Sequence, residues 1–456
     1  MIKRFLTILA TSGIGVIAMG QQTPPVQPKT VDPPKLVPLV VPSLPAKNQV
    51  IANAPLSASE AVKVALAHFP QVAIARANVL AAHGQEIQTA AALNPTVSIT
   101  GSGQLSTSIK AGNGLVVAAP SDVSGQIALN QLVFDFNRTR DMVRQSQALE
   151  RASSKTYDQT LQDVALQTKQ DFYSYVQAKQ QSTVQEANVK SRQAQVDLTQ
   201  ATVNAGTGEP SDLVTAKTLL SQGVITWSQA QIAEKNALIK LATDMGIDPR
   251  TPINIEPSTE TNVTLPTDLN TLVDLGLKQR PSILSGIESL RAAGYAVSVA
   301  RKTDVPSISF QAGFQAEGRS NPLDTETGFV ALTLNWTLID GGLRAGSVIT
   351  AKANQTVAAE TLRQTSQSVV QDISNALVAV QATRQQIPVA DAEVANAQEG
   401  IRLSEGRYRA GVTTFQEVIT AQAALVQAQT DQVNAVAALA IALSSLDHAI
   451  GKWPVN

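Results

Sequence analysis

The chain has 456 residues, 43% of them hydrophobic, which is enough for a large core or for more than one domain. Its formal net charge is −1 and it contains no cysteine, so it offers no basic field for nucleic acid and neither disulfides nor thiolate metal sites. Three widely spaced histidines and the lack of a catalytic motif predict no enzyme activity, no cofactor and no metal site.

The N-terminus has the pattern of a secretory signal peptide. Lys3 and Arg4 precede a short apolar run, and the small residues Ala18 and Gly20 mark a cleavage site. We expect residues 1–20 to be removed and the mature chain to have no membrane-spanning helix; an uncleaved anchor is the alternative. The proline-rich stretch 21–55 predicts an extended arm or linker, because proline fixes φ and removes backbone donors.

After this arm the sequence contains an internal duplication. Pro70 corresponds to Pro281 at an offset of 211 residues, and Gly206 corresponds to Gly411 at an offset of 205. Further matches keep this register over nearly two hundred residues, which indicates two copies of one unit. We therefore divide the mature chain into a first repeat at 56–250, a linker at 251–266 and a second repeat at 267–456.

Each repeat predicts the same order of elements: opening helices, a β-hairpin, a very long helix and a last helix. The predicted hairpins span 96–134 and 307–339, the long helices 138–204 and 344–409, and the last helices 210–246 and 415–450. The stretch 138–204 contains no proline and no glycine, so it predicts a helix about 100 Å long. Helices of this length are stabilised by coiled-coil packing.

The hairpin strands alternate strictly between apolar and polar residues. The apolar face is formed by Val97, Ile99, Ile127, Leu129, Ile308, Phe310, Phe314, Leu332, Leu334 and Trp336. Such a face packs either on a soluble core or against lipid. The signal peptide and the aromatic residues at the strand ends favour lipid. A barrel in lipid must close, and four strands per chain then require at least three copies for a pore.

Four stretches taken in order, LSASEAVKVALAHFPQVAIAR, LNPTVSITG, LNWTLIDGGLRAG and LSEGRYRAGVTTFQEVITAQ, resemble the outer-membrane efflux protein family, the TolC-like outer-membrane factors. The resemblance covers residues 56–452. It implies a mostly α fold with a β-barrel portion: a homotrimer whose 12-stranded barrel in outer-membrane lipid continues into a long periplasmic α-helical barrel. It also implies a passive exit duct of a tripartite efflux or type I secretion system, with a periplasmic adaptor and an inner-membrane transporter as partners. A periplasmic coiled-coil interaction protein or adaptor without a barrel is the alternative.

The resemblance also implies roles for the two turns that interrupt the helices. Asp212, Tyr408 and Glu417 would lie at the periplasmic entrance as gate residues. The adaptor-contact positions in the turns would be Gly206, Thr207, Gly411 and Val412. Glu417 has a second interpretation, because Thr414 and Glu417 have the spacing of a capping box that would satisfy a helix N-terminus. The sequence leaves both roles of Glu417 open.

Overall fold

A computed structural model of the chain describes residues 55–105, 121–256, 268–319 and 325–453. The predicted signal peptide, all but the last residue of the predicted arm, and most of the linker lie outside the described residues. All described residues belong to one compact unit.

The described residues form eight helices and four strands, arranged as two similar halves. The first half contains α1 (Ala58–His68), α2 (Pro70–Ala91), β1 (Thr96–Leu105), β2 (Ser121–Phe134), α3 (Arg138–Asn204) and α4 (Pro210–Asp244). The second half contains α5 (Leu269–Gln279), α6 (Pro281–Arg301), β3 (Ser307–Arg319), β4 (Thr325–Asn335), α7 (Leu343–Arg409) and α8 (Phe415–Ala449). The fold is therefore mostly helical with a small antiparallel sheet, which confirms the predicted fold class.

Local sequence explains where the short helices begin. Ser57 caps α1, and its side chain and that of Glu60 form a reciprocal capping box. Asp268 caps α5 by accepting a bond from the backbone N–H of Thr271 at 3.0 Å. Helices α2 and α6 each start with a proline, Pro70 and Pro281, whose missing N–H costs nothing in a first turn.

The long helices α3 and α7 have 67 residues each and are therefore about 100 Å long. Helix α3 packs along α4, and α7 packs along α8, so that each half is a long helical hairpin. The two halves bury equivalent side chains: Leu241 in the first and Leu446 in the second are both fully buried. Leu241 belongs to a core with Phe172 and Met245, whereas Leu446 packs in a second core around Ile373.

The four strands form one antiparallel sheet in the order β1-β2-β3-β4. Within the hairpins, Thr96 pairs with Asn130 and Ser307 pairs with Asn335. These pairs are equivalent under the duplication, so both hairpins have the same register. The halves are joined where β2 pairs with β3, with Asn130 opposite Gln311. The outer edges of β1 and β4 have no neighbouring strand among the described residues.

The pairing places the apolar strand residues in rows on one face. Ile99 lies opposite Ile127, which lies opposite Phe314 on the next strand. These side chains are open to the surroundings: Ile99 is 78% exposed, Phe314 is 73% exposed and Leu332 is 70% exposed. Both faces of β1 are exposed along residues 96–103, so no helix among the described residues covers this strand. The alternative of a sheet packed on a soluble core therefore finds no support in the part of the chain that the structure describes.

One predicted strand position lies outside its strand. Strand β4 ends at Asn335, so Trp336 follows the strand and the second hairpin is shorter than the predicted 307–339. The physical reason is the length of the neighbour: Asn335 already pairs with Ser307, the first residue of β3, and no described strand pairs with the residues beyond.

Within the described residues no single helix is long and apolar enough to cross a membrane. Helices α1 and α2, which meet at 49°, satisfy that length and composition test only as a bent pair.

Candidate functional site at the helical turns

Both long helices end in the same turn. The backbone N–H of Thr207 bonds to the carbonyl of Thr202 at 3.0 Å, and that of Val412 bonds to the carbonyl of Arg407 at 2.9 Å. The N–H of Gly206 also bonds to the carbonyl of Val203, and that of Gly411 to the carbonyl of Tyr408. These paired bonds form a Schellman motif, in which the residue after the helix adopts a left-handed conformation. Gly206 and Gly411 occupy that position with φ of 74° and 69°. Both turns are exposed, and Val412 is 68% exposed.

The next helices restart without a side-chain cap. Glu209 precedes α4 and Thr414 precedes α8, and neither side chain bonds to the helix that follows it. The predicted capping box of Thr414 and Glu417 is therefore wrong. The Glu417 carboxylate instead accepts a bond from Arg407 at 2.7 Å and another from the hydroxyl of Thr413. A charged donor within reach across the turn makes a stronger hydrogen bond than a backbone N–H does.

Two of the three predicted gate residues are in contact. The hydroxyl of Tyr408, near the end of α7, donates to Asp212 in the first turn of α4 at 3.1 Å. Partial burial and the neighbouring Asp212 carboxylate raise the pKa of Tyr408 to about 12, so the phenol keeps its proton at any ordinary pH. The bond links the second half of the chain to the first. Glu417 lies at the equivalent position of α8 and has a separate set of partners.

A small apolar cluster holds this bond in place. Phe415 and Val418 at the start of α8 are buried together with Val196 of α3 and Ala216 of α4. The ring of Tyr408 packs against Phe415 with 5.4 Å between the centroids. A groove of about 660 Å³ lies between the two turns, and its lining includes Asp212, Tyr408 and residues of both turns. The site is therefore a junction of both halves at the ends of the long hairpins.

Two residues of this site were missed by sequence reasoning. The sequence patterns assign no role to Arg407 or Thr413, yet both bond to Glu417. The sequence feature that could have predicted the ion pair is the placement of Arg407 and Glu417 on either side of the turn at Gly411. No cluster of side chains that could hold a metal ion occurs in the part of the chain that the structure describes.

Comparison with known proteins identifies similar chains. A family model described as outer membrane efflux protein matches residues 61–246 and 272–452, one segment in each half. Protein CyaE from Bordetella pertussis is 29% identical over 187 residues, which is 40% of each chain. The pyoverdine export outer membrane protein OpmQ from Pseudomonas putida is 26% identical over 263 residues, 56% of this chain and 55% of OpmQ. The matches thus span about half of these relatives or less.

The fold also matches a solved channel. The structure aligns with the outer membrane channel CmeC from Campylobacter jejuni at a TM-score of 0.75, covering 86% of this chain and 85% of CmeC. Sequence identity in this alignment is 20%, so the likeness concerns the fold.

Proposed function

Because the chain belongs to the outer membrane efflux protein family, we propose that it is the outer-membrane exit duct of an efflux or type I secretion system. The observation that carries the proposal is the exposed apolar face of a sheet with two open edges, joined directly to helical hairpins about 100 Å long. An apolar face of this size is costly in water and stable in lipid. The family and the fold are those of transport channels, and the duct itself carries out no chemistry.

The sheet supports a closed barrel made from several copies. Unpaired strand edges are not stable in hydrocarbon, so the outer edges of β1 and β4 must pair with other copies of the chain. Three copies supply twelve strands and an interior wide enough for a pore. Phe134, Phe136 and Trp336, which are all exposed at one end of the sheet, then lie at a membrane interface, and the helices extend into the periplasm.

The turns form the periplasmic end of the duct in this proposal. The bond between Tyr408 and Asp212 holds the entrance closed, and Glu417 with Arg407 sets the charge beside it. The exposed turns around Gly206 and Thr207 and around Gly411 and Val412 are the contact points for a periplasmic adaptor. An inner-membrane transporter joined through that adaptor supplies the energy.

Fractionation and planar-bilayer recording test the proposal. We expect the protein in the outer-membrane fraction, soluble only with detergent, and expect it to form ion-conducting trimers after reconstitution. A purified protein that stays dispersed in detergent-free buffer and runs as a monomer contradicts the duct and favours a soluble interaction protein.

A further inference from the structure

The segment directly after β4 is unusually exposed for its composition. In residues 336–339, Trp336 is 56% exposed, Leu338 is 74% exposed and Ile339 is 91% exposed. The equivalent residues of the first half, 131–134, belong to strand β2. There Gln131 pairs with Phe310 of β3, and Phe134 pairs with Ile308 after a register shift. The second half therefore carries a strand end that has no partner strand within 55–105, 121–256, 268–319 and 325–453.

The structure supports transferring this register from one half to the other. The two hairpins have equivalent registers, and the four helix ends at Gly206, Gly246, Gly411 and Gly451 share the left-handed glycine at equivalent positions. Strand β4 is the counterpart of β2, and β1 is the counterpart of β3. The pair formed by β2 and β3 is consequently a template for a pair formed by β4 and the β1 of another chain.

We infer that residues 336–339 complete β4 when the β1 strand of a second copy pairs with it in the register that β3 has on β2. In this register Trp336 lies opposite Ile99 of the second copy, and Leu334 lies opposite Gly101. Past the register shift, Ile339 lies opposite Val97. Each apolar side chain of the completed edge then stays on the apolar face of the sheet.

The helices below the sheet independently identify a second copy as the partner. Within the chain, α3 and α6 pack through polar contacts: Arg151 bonds to Glu288 at 2.8 Å, and Thr156 lies 3.0 Å from Ser285. The duplication makes α7 and α2 of a neighbouring copy the counterparts of α3 and α6. Helices α7 and α2 carry exposed aliphatic residues at positions where that internal seam has polar or small residues. These are Ile349, Val357, Ile74, Leu80 and Ile87, at the positions of Arg144, Ala152, Ser285, Arg291 and Ser298.

Exposed apolar side chains therefore occur on α2, which precedes the edge strand β1, and on α7, which follows the edge strand β4. A second copy presents α2 and β1 together, so one neighbour covers both features at once. The inference rests on the proposed closure of the sheet by copies of the chain. It adds the register of that closure, the strand segment that it orders and the residues of the helical seam.

Disulfide cross-linking tests the register with four positions combined in two ways. The chain has no cysteine of its own, so every cross-link comes from introduced pairs. We expect Trp336→Cys with Ile99→Cys, and Leu334→Cys with Gly101→Cys, to cross-link between copies in isolated outer membranes under mild oxidation. The recombined pairs, Leu334→Cys with Ile99→Cys and Trp336→Cys with Gly101→Cys, are shifted by two residues, or about 7 Å along the strand. Their Cα atoms are then about 8 Å apart, beyond disulfide reach.

The cross-links report on neighbouring copies, because β1 and β4 are three strand spacings, about 14 Å, apart within one chain. Gly101 has room for the introduced side chain. Equal or stronger cross-linking of the recombined pairs overturns the register. If trimers conduct but the recombined cysteine pairs cross-link most, the proposed register is wrong and the proposed duct function is kept. If the protein is monomeric and does not conduct, the proposed function fails with it.

Discussion

Replacing Tyr408 by phenylalanine removes the hydroxyl that bonds to Asp212 of the other half at the turns and leaves the ring packed on Phe415. A hydrogen bond to a charged acceptor contributes about 1.5–3 kcal/mol, and the partial exposure of Tyr408 places it at the low end. If three copies of the proposed duct open together, its closed state loses about 4.5 kcal/mol, since three bonds of about 1.5 kcal/mol each are lost. That energy corresponds to a shift of about a thousandfold in the opening equilibrium.

Planar-bilayer recording of the reconstituted protein measures this shift. Tyr408→Phe should raise the open probability strongly, and Asp212→Asn should raise it less, because the amide oxygen still accepts the bond without a charge. Arg402→Gln is the matched control. Arg402 lies on the same helix, and its ion pair with Glu399 is exposed on both sides, so its loss should change little.

The pH dependence of the parent protein follows from the same bond. The pKa of Tyr408 is raised to about 12, above the ordinary value near 10 of a tyrosine. A raised pKa means that the stabilising contribution is complete below about pH 10 and is lost as the pH rises through about 12. Titration of Tyr408 should therefore leave the open probability unchanged between pH 8 and 10. A Tyr408→Phe protein that opens no more than the Arg402→Gln control would refute the role of the bond.

Three further predictions concern other parts of the structure. Gly206→Ala should lower stability by about 1 kcal/mol, because the φ of Gly206 lies in the left-handed region. Gly400→Ala should raise stability by about as much, because Gly400 lies inside a helix and has free space around it. Thermal melting in detergent compares the two variants. Asp141→Asn should cost about 2–3 kcal/mol in the same assay, because Asp141 is buried with a lysine partner. Burial acts to raise the pKa of Asp141, but its hydrogen bonds hold the pKa below the ordinary value. The difference in stability between Asp141→Asn and the parent protein should therefore shrink as the pH falls. A difference in stability that stays constant with pH contradicts this account. Arg407→Gln should leave the Glu417 carboxylate without its cation and increase cation selectivity in bilayers; unchanged reversal potentials would show that Glu417 does not face the ion path.

Much of the fold follows from patterns that are local or repeated. The bounds of α3 at Arg138 and Asn204 could be predicted because no proline or glycine interrupts the stretch and a glycine follows it. The end of β4 could not be predicted, because no strand among the described residues pairs with the residues beyond Asn335. Likewise the capping-box prediction for Glu417 used its spacing to Thr414, whereas the outcome was decided by Arg407, which reaches it across the turn. The spacing between Thr414 and Glu417 carries no information about a second donor such as Arg407, which binds the same carboxylate from the other side of the turn.

In the proposed duct, the equivalence of Asp212 and Glu417 bears on how the entrance can change over evolutionary time. Both acids sit at the third position of their helices, yet one accepts a tyrosine from the other half and the other accepts an arginine from its own half. In a ring built from an unduplicated chain, each substitution would appear at all six positions together. Duplication separates the two acids into independently inherited positions. In the proposed duct, substitutions can therefore change the strength of the Tyr408–Asp212 bond while the charge at Glu417 stays constant, or change that charge while the bond is kept.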